Sequence, residues 1–430
     1  MTVPTPSSTP AAAARPLRVA ILGFGTVGSS VARILVERPD LADRLQLTHV
    51  YNRGIDRKRV DWLPSVVWTE DLDAIFAAQP DVIVELAGGI DPAGAWVRRG
   101  LGQGASVVTA NKLLVAAHGP ELLHLAVANG AQLRFEAAVG GGIPLIHGIK
   151  EGLAGDRLSR VTGILNGTCN YILSRMAATG EPMDTVLVDA RRLGYAEADP
   201  SADLDGLDAG AKIVVLAGIA FHRHLALDAV PRRSIRPISS DDFRYAARLG
   251  CTVRQLASVE SAGSDTFHAF VGPALVPASS SLGRNEGADN FVTVTGQFLG
   301  VSSFSGPGAG GSATAVAVVS DLLSLAARPG RDVREEWQPA ALVPPPLRPY
   351  YVRFGVRDRP GIITTIAAAF ERHRINIDAV LQEPGYPKDA LPFVITVEPC
   401  EQAALEAALA DTAGADFMAA VPLALPILLA

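Results

Sequence analysis

Apolar residues fall along this chain in two rhythms. In the first third, short unbroken apolar runs alternate with stretches where apolar positions recur every three or four residues. Residues 17–22 form the first run, and its lack of alternation predicts a strand buried on both faces. Val31, Ile34 and Leu35 follow at helical spacing and stop at Pro39. Residues 47–51, 81–86 and 106–109 predict further strands, with helices over 72–78 and 92–101 between them. That alternation predicts an α/β fold with a doubly wound parallel sheet of the Rossmann type.

After about Gly140 the rhythm changes. Gly140-Gly141-Gly142 leads into Ile143-Pro144, and residues 161–168 read as a strand running into a turn. Residues 266–271 and 290–294 are strand-like, so a second, α+β domain with a mixed or antiparallel sheet is expected. The glycines of 306–311 precede an apolar helix, 313–327, and the prolines between 328 and 348 suggest a linker. Past it, Val352, Phe354 and Val356 alternate, Asp358-Arg359-Pro360-Gly361 makes a turn, and 362–373 reads as a helix. Strands at 375–381 and 393–397 and a helix at 401–409 complete a βαββαβ module. The expected division is a disordered tail at 1–15, a dinucleotide-binding domain at 16–140 with helix 312–328 packing back on it, a second domain at 141–311, a linker at 329–349 and the last module at 350–430.

Composition narrows the class. With 430 residues, 48% of them apolar, the chain can build several cores, and a net charge of −6 offers no footprint for nucleic acid. No apolar run approaches the roughly 18 residues of a membrane span. Residues 1–16 lack the basic and apolar regions of a signal peptide. Cys169, Cys251 and Cys400 have neither disulfide nor metal-ligand spacing, so a reducing cytoplasm is the expected setting.

Two groups of residues carry chemistry. Gly23-Phe24-Gly25-Thr26-Val27-Gly28 sits between a strand and a helix. There Gly23 permits a tight turn, Gly25 lets the backbone approach a pyrophosphate, and Gly28 allows close helix packing. After the second strand stands Asn52-Arg53 rather than an acidic residue, with Arg57, Lys58 and Arg59 behind; this favours NADP, while Asp56 keeps NAD open. Lys112, in Thr109-Ala110-Asn111-Lys112, follows a buried strand at the ligand-facing edge. The second group is the acidic run Glu197, Asp199, Asp203, Asp205 and Asp208, ending at Lys212. Asp208 and Lys212 share a helix face. A solvated loop with Asp205 or Asp208 as a helix cap is the plain alternative. Yet a lysine in so apolar a helix needs a partner, and a paired, buried lysine beside carboxylates suits proton transfer to a small polar substrate.

These residues, with Val84-Glu85-Leu86-Ala87-Gly88-Gly89, the stretch 136–144, Leu165-Asn166-Gly167-Thr168-Cys169-Asn170-Tyr171-Ile172 and Gly306-Pro307-Gly308-Ala309-Gly310, closely resemble the homoserine dehydrogenase family over nearly the whole chain. The last module resembles an ACT domain, a regulatory amino-acid-binding unit, with Asp358, Pro360 and Gly361 in its characteristic turn. The resemblance implies interconversion of L-aspartate 4-semialdehyde and L-homoserine with a nicotinamide cofactor, in threonine, methionine and isoleucine biosynthesis. It implies Lys212 as proton donor, Asp208 as its orienting partner and Lys112 as second candidate donor. Glu197 and Asp203 would hold the substrate amino group, and Thr168 would line the pocket. Phe24, Thr26 and Val27 would meet cofactor, as would Gly308 and Gly310. It further implies a sodium ion on the carbonyls of Glu136, Val139, Gly141 and Ile143, dimerisation through the middle domain into a homodimer or homotetramer, and threonine as effector. The apolar end, 424–429, suggests an oligomer contact instead. A non-catalytic amino-acid sensor is the alternative; a phosphoglycerate-type dehydrogenase would need an Arg, Glu and His set that is not found.

Overall fold

The computed structural model describes residues 15–328 and 336–428. The expected tail, save Arg15, and residues 329–335 of the expected linker lie outside them. The chain forms two compact units, Met1–Gly142 with Gly310–Glu336, and Ile143–Ala309 with Trp337–Ala430.

The first unit is built on six parallel strands: β1 (Leu17–Leu22), β2 (Leu45–Tyr51), β3 (Val67–Thr69), β4 (Val82–Glu85), β5 (Ser106–Thr109) and β6 (Leu133–Arg134). Their order is β3-β2-β1-β4-β5-β6. This is the doubly wound order whose chain reverses beside β1, which places ligands at the carboxyl ends of β1 and β4. The unbroken apolar runs exist because both sheet faces are covered: Val19, Ile21, Val82 and Val84 are fully or almost fully buried. Helix Gly311–Ala327 returns to this unit from far along the chain and packs with helix Thr26–Glu37 in one core that includes Val31, Ala315, Val318 and Leu322.

The second unit holds β7 (Leu158–Ile164), β8 (Arg223–His224), β9 (Cys251–Ser261), β10 (Thr266–Pro277), β11 (Asp289–Gly296), β12 (Gly300–Pro307), β13 (Gln338–Pro339) and β14 (Ala341–Leu342). One sheet runs β12-β11-β7-β9-β10-β14, antiparallel except that β14 joins β10 in parallel, and β13 pairs with β8. Helix Leu207–Phe221, buried along most of its length, lies against β7 and β9. In the described part of the expected linker, Trp337 is buried so closely on this helix that a Cβ at Gly218 would come within 2.4 Å of its ring.

The C-terminal module, in the same unit, is β15 (Arg348–Val356), helix Ile362–Arg372, β16 (Ile377–Gln382), β17 (Leu391–Cys400), helix Gln402–Ala413 and β18 (Leu423–Pro426). Its sheet runs β16-β17-β15-β18. The apolar end, expected to serve an oligomer, contributes residues 423–426 to this sheet as its edge strand β18. Leu425 is fully buried and the Leu428 amide donates to the Leu275 carbonyl at 2.9 Å.

Candidate active site

In the first unit the chain end of β1 forms a phosphate cradle. Gly23 adopts φ +106°, and a Cβ there would lie 2.9 Å from the Leu86 carbonyl carbon. A Cβ at Gly28 would meet the Gly23 oxygen at 2.1 Å, so the helix presses directly on the turn. Around Gly25 nothing lies within 4 Å of such a Cβ. Gly25 caps helix Thr26–Glu37, whose first turn has no acidic residue, so unsatisfied amides and the positive helix end face open space. That open cradle fits a dinucleotide pyrophosphate. Asn52 takes the place of the ribose-binding acid: its Oδ1 accepts from the Phe24 amide at 3.0 Å, and the exposed Arg53 follows. We expect Gly25→Ala to fold and melt like the wild type, because its Cβ has space and its φ of −88° is ordinary. Its cofactor KM should rise at least about tenfold as the Cβ enters the pyrophosphate's place; an unchanged KM would remove Gly25 from the cradle.

At the ends of β4 and β5 a buried network went unread in the sequence. Glu85, fully buried, accepts from the amides of Ala87 and Gly88 at 2.8 and 2.9 Å and from Thr109 Oγ1 at 2.6 Å. Thr109 Oγ1 in turn accepts from the Asn111 amide at 3.0 Å. Asn111 caps helix Lys112–Ala128 through the Leu114 amide, which fixes Lys112 at the first helical position. A strand-terminal Glu beside small residues was the only signal for this network.

In the second unit, β7 ends in Leu165-Asn166 and delivers both residues to the start of helix Leu207–Phe221. Lys212 Nζ donates to the Leu165 carbonyl at 2.7 Å and to Asp208 Oδ2 at 2.8 Å. Both side chains are nearly out of solvent, at 11% and 10% exposure. Asn166 Nδ2 donates to Asp208 Oδ2 at 2.9 Å and to Asp203 Oδ1 at 2.6 Å, drawing the two carboxylates together. Neither Asp205 nor Asp208 caps the helix, contrary to the plain reading. Gly206, at φ +79°, is the N-cap. Asp205 accepts from Ser234 and Arg236, while Asp208 turns inward to the lysine. Cys169, against the Asp203 carbonyl, is pushed well up by burial and by the Asp203 and Asp208 charges, so it stays a thiol.

The other predicted residues are placed as follows. Thr168 Oγ1 donates to the Tyr195 carbonyl at 2.5 Å, which fastens the acidic loop to the start of helix Gly167–Thr179. Glu197 is exposed on that loop. Gly308 belongs to the second unit, where a Cβ would lie 2.2 Å from Asn290 Cγ. Gly310, at φ +121°, caps helix Gly311–Ala327 in the first unit. Of the carbonyls expected to hold sodium, Glu136, Val139 and Gly141 are in the first unit and Ile143 in the second. In the last module, the Asp358 amide donates to Lys388 O at 2.6 Å, Pro360 is exposed, and Gly361 caps the first helix at φ +93°.

A phosphate cradle on a doubly wound sheet, in a chain that also carries a buried lysine–carboxylate pair, defines the class of nicotinamide-dependent dehydrogenases. Residues 23–136 match the family model of the homoserine dehydrogenase NAD-binding domain, 144–323 that of homoserine dehydrogenase and 350–413 that of the ACT domain. The chain is 40% identical over 416 residues to homoserine dehydrogenase of Mycobacterium tuberculosis, covering 93% of this chain and 94% of that one. The crystal structure of a homoserine dehydrogenase from Thiobacillus denitrificans superposes with a TM-score of 0.89 at 32% identity, over 96% of this chain and 98% of that one. A hyperthermophilic archaeal homoserine dehydrogenase in complex with NADPH matches with a TM-score of 0.61 at 26% identity, over 72% and 97% of the two chains. The chain belongs to the homoserine dehydrogenase family. It is an NAD(P)-dependent oxidoreductase acting on a CH–OH group, interconverting L-aspartate 4-semialdehyde and L-homoserine.

Proposed function

We propose that Lys212 is the acid of the reduction and the base of the oxidation, with NADP as the preferred cofactor. The observation that carries this is the burial of Lys212 in an apolar helix with two short hydrogen bonds, to Asp208 and to the Leu165 carbonyl. The nicotinamide, when bound, supplies or removes hydride. As the semialdehyde carbonyl becomes an alkoxide, the Lys212 N–H bond breaks and its proton passes to that oxygen. The ammonium stabilises the developing charge before it does so. Asp208 holds Lys212 in place, and Asp203 with Glu197 binds the substrate ammonium by opposite charge. Thr168 shapes the pocket through the acidic loop. Lys112, set by the Asn111 cap, is the second candidate for proton transfer. A sodium site on the carbonyls rests on the resemblance alone.

Arg53 supports the preference for NADP, since its exposed guanidinium suits a 2′-phosphate. We expect Arg53→Glu to raise the KM for NADP by roughly 10- to 100-fold, the scale of a lost charged hydrogen bond. The KM for NAD should stay nearly constant; equal effects on both cofactors would overturn the assignment. Homoserine-dependent reduction of NADP and NAD by the purified chain, with and without threonine, tests the whole reading. No turnover with NADPH still bound would favour the sensor.

Amino-acid regulation has a physical route within the second unit. Arg353 on β15 donates to Ser239 Oγ at 2.5 Å and to the Pro237 carbonyl at 2.8 Å. The same segment holds the substrate loop: the Ile235 amide donates to the Leu204 carbonyl at 3.0 Å and Ser234 Oγ to Asp205 at 2.6 Å. A shift of β15 on effector binding thus reaches the residues next to Asp203. Threonine is the proposed effector.

A further inference from the structure

The two oxygens that hold Lys212 are themselves each held by a carboxamide. Asn166 Nδ2 donates to Asp208 Oδ2, the oxygen that Lys212 uses. Asn290 Nδ2, from β11, donates to the Leu165 carbonyl at 3.2 Å, the other oxygen that Lys212 uses. Both asparagines are buried, at 4% and 1% exposure. An ammonium has three N–H bonds, and two are spent on these acceptors. The direction of the third is therefore set by where the two oxygens stand.

Asn290 is costly in its present form. Its Oδ1 is buried and has no partner among the described residues. An orphaned buried acceptor costs about 1–3 kcal/mol. Reversing the amide would set Oδ1 against the Leu165 oxygen, so the Leu165 contact dictates its orientation. Gly308 then wedges it, since even a Cβ there would lie 2.2 Å from Asn290 Cγ. A residue kept in so poor a hydrogen-bonding state, and walled in by glycine, has a use other than stability.

We propose that Asn290 and Asn166 are positioning residues that fix the two oxygens holding Lys212 and so aim its remaining N–H at the substrate oxygen. This rests on Lys212 being the proton donor. Without Asn290 the Leu165 carbonyl turns with its peptide and Lys212 turns with it. Lys212 stays buried, and Asp203 and Glu197 are untouched. The loss therefore falls on the chemical step rather than on binding.

The test compares Asn290→Ala, Asn290→Leu and Asn166→Asp with wild type and Lys212→Ala in the full chain. Asn166→Asp keeps an oxygen for its cap bond to the Cys169 amide. Asn290→Leu keeps the bulk while losing the donor and adds no buried charge, and it decides the matter if Asn290→Ala melts early. Expected in all three variants is a kcat lower by about 10- to 100-fold, the scale of a misaimed catalytic group. The homoserine KM stays within about twofold of wild type in the Asn290 variants and rises in Asn166→Asp, which also loses its bond to Asp203. The deuterium isotope effect from cofactor labelled at the transferred hydrogen should also rise, because hydride transfer becomes more rate-limiting. An unchanged kcat in the Asn290 variants, or a lowered kcat with the wild-type isotope effect, overturns the proposal, since a mere loss of folded enzyme leaves the isotope effect alone. An inactive Lys212→Ala beside normal Asn290 variants sinks this inference only, whereas an active Lys212→Ala sinks the reading beneath it as well.

Discussion

Lys212→Ala should lower kcat by at least roughly 100-fold while leaving NADPH binding nearly intact. The reason is local. Lys212 lies in the second unit, whereas the phosphate cradle is built from β1 and its helix in the first. The substitution also strands Asp208, whose remaining partners include Asn166. An uncompensated buried carboxylate is destabilising, so thermal melting accompanies the assay. Fluorescence titration with NADPH and initial rates of homoserine oxidation are the measurements. Wild-type kcat in the variant would take Lys212 out of the mechanism and leave Lys112 as the candidate.

The largest expected effect on stability is at Asp242. Asp242 is fully buried, accepts from the Ser239 amide at 2.8 Å and from Tyr351 at 2.9 Å, and forms an ion pair with Arg353 Nε at 3.1 Å. It joins helix Ser240–Arg248 to β15 of the C-terminal module. Asp242→Ala leaves Arg353 without its buried carboxylate, and removing one partner of such a pair costs about 3–5 kcal/mol. Chemical denaturation should read that loss, and a change under about 1 kcal/mol would show that Arg353 finds water instead. Asp242→Asn gives a second reading through pH. Burial holds the Asp242 carboxyl above its ordinary value, with Arg353 opposing. The folded chain therefore binds that proton more tightly than the unfolded one. The contribution to stability is full below the ordinary carboxylate range and is lost as pH rises through the raised value. That slope should be missing in Asp242→Asn.

The parts of this molecule legible in its sequence are those made by neighbours. β1, β4 and β5 show as unbroken apolar runs because both faces of their sheet are covered, and the glycine turn lies next to the strand it ends. The Asp208–Lys212 pair shows because a helix brings positions four apart together. β9 was not foreseen: Arg254 and Gln255 interrupt its apolar pattern, yet both are buried in the folded chain. Helix Gly311–Ala327, expected as 312–328 to pack back on the dinucleotide-binding domain, lies in the first unit with helix Thr26–Glu37. Least legible was Asn290. It meets the Leu165 carbonyl from 125 positions away, and a strand residue of ordinary appearance gives no sign of such a contact.

The way the last module is seated bears on attempts to shorten this enzyme. Tyr351, Val394 and Leu425 of that module share one core with Cys169, Ala196, Leu204, Phe243 and Tyr245, and that core includes part of the acidic loop. Tyr245 Oη also donates to the Pro392 carbonyl, and β18 is followed by the bond from Leu428 to Leu275. A chain cut before Arg348 would uncover the apolar underside of the helices carrying Cys169 and Tyr245. A minimal catalytic fragment therefore needs new polar residues on that underside.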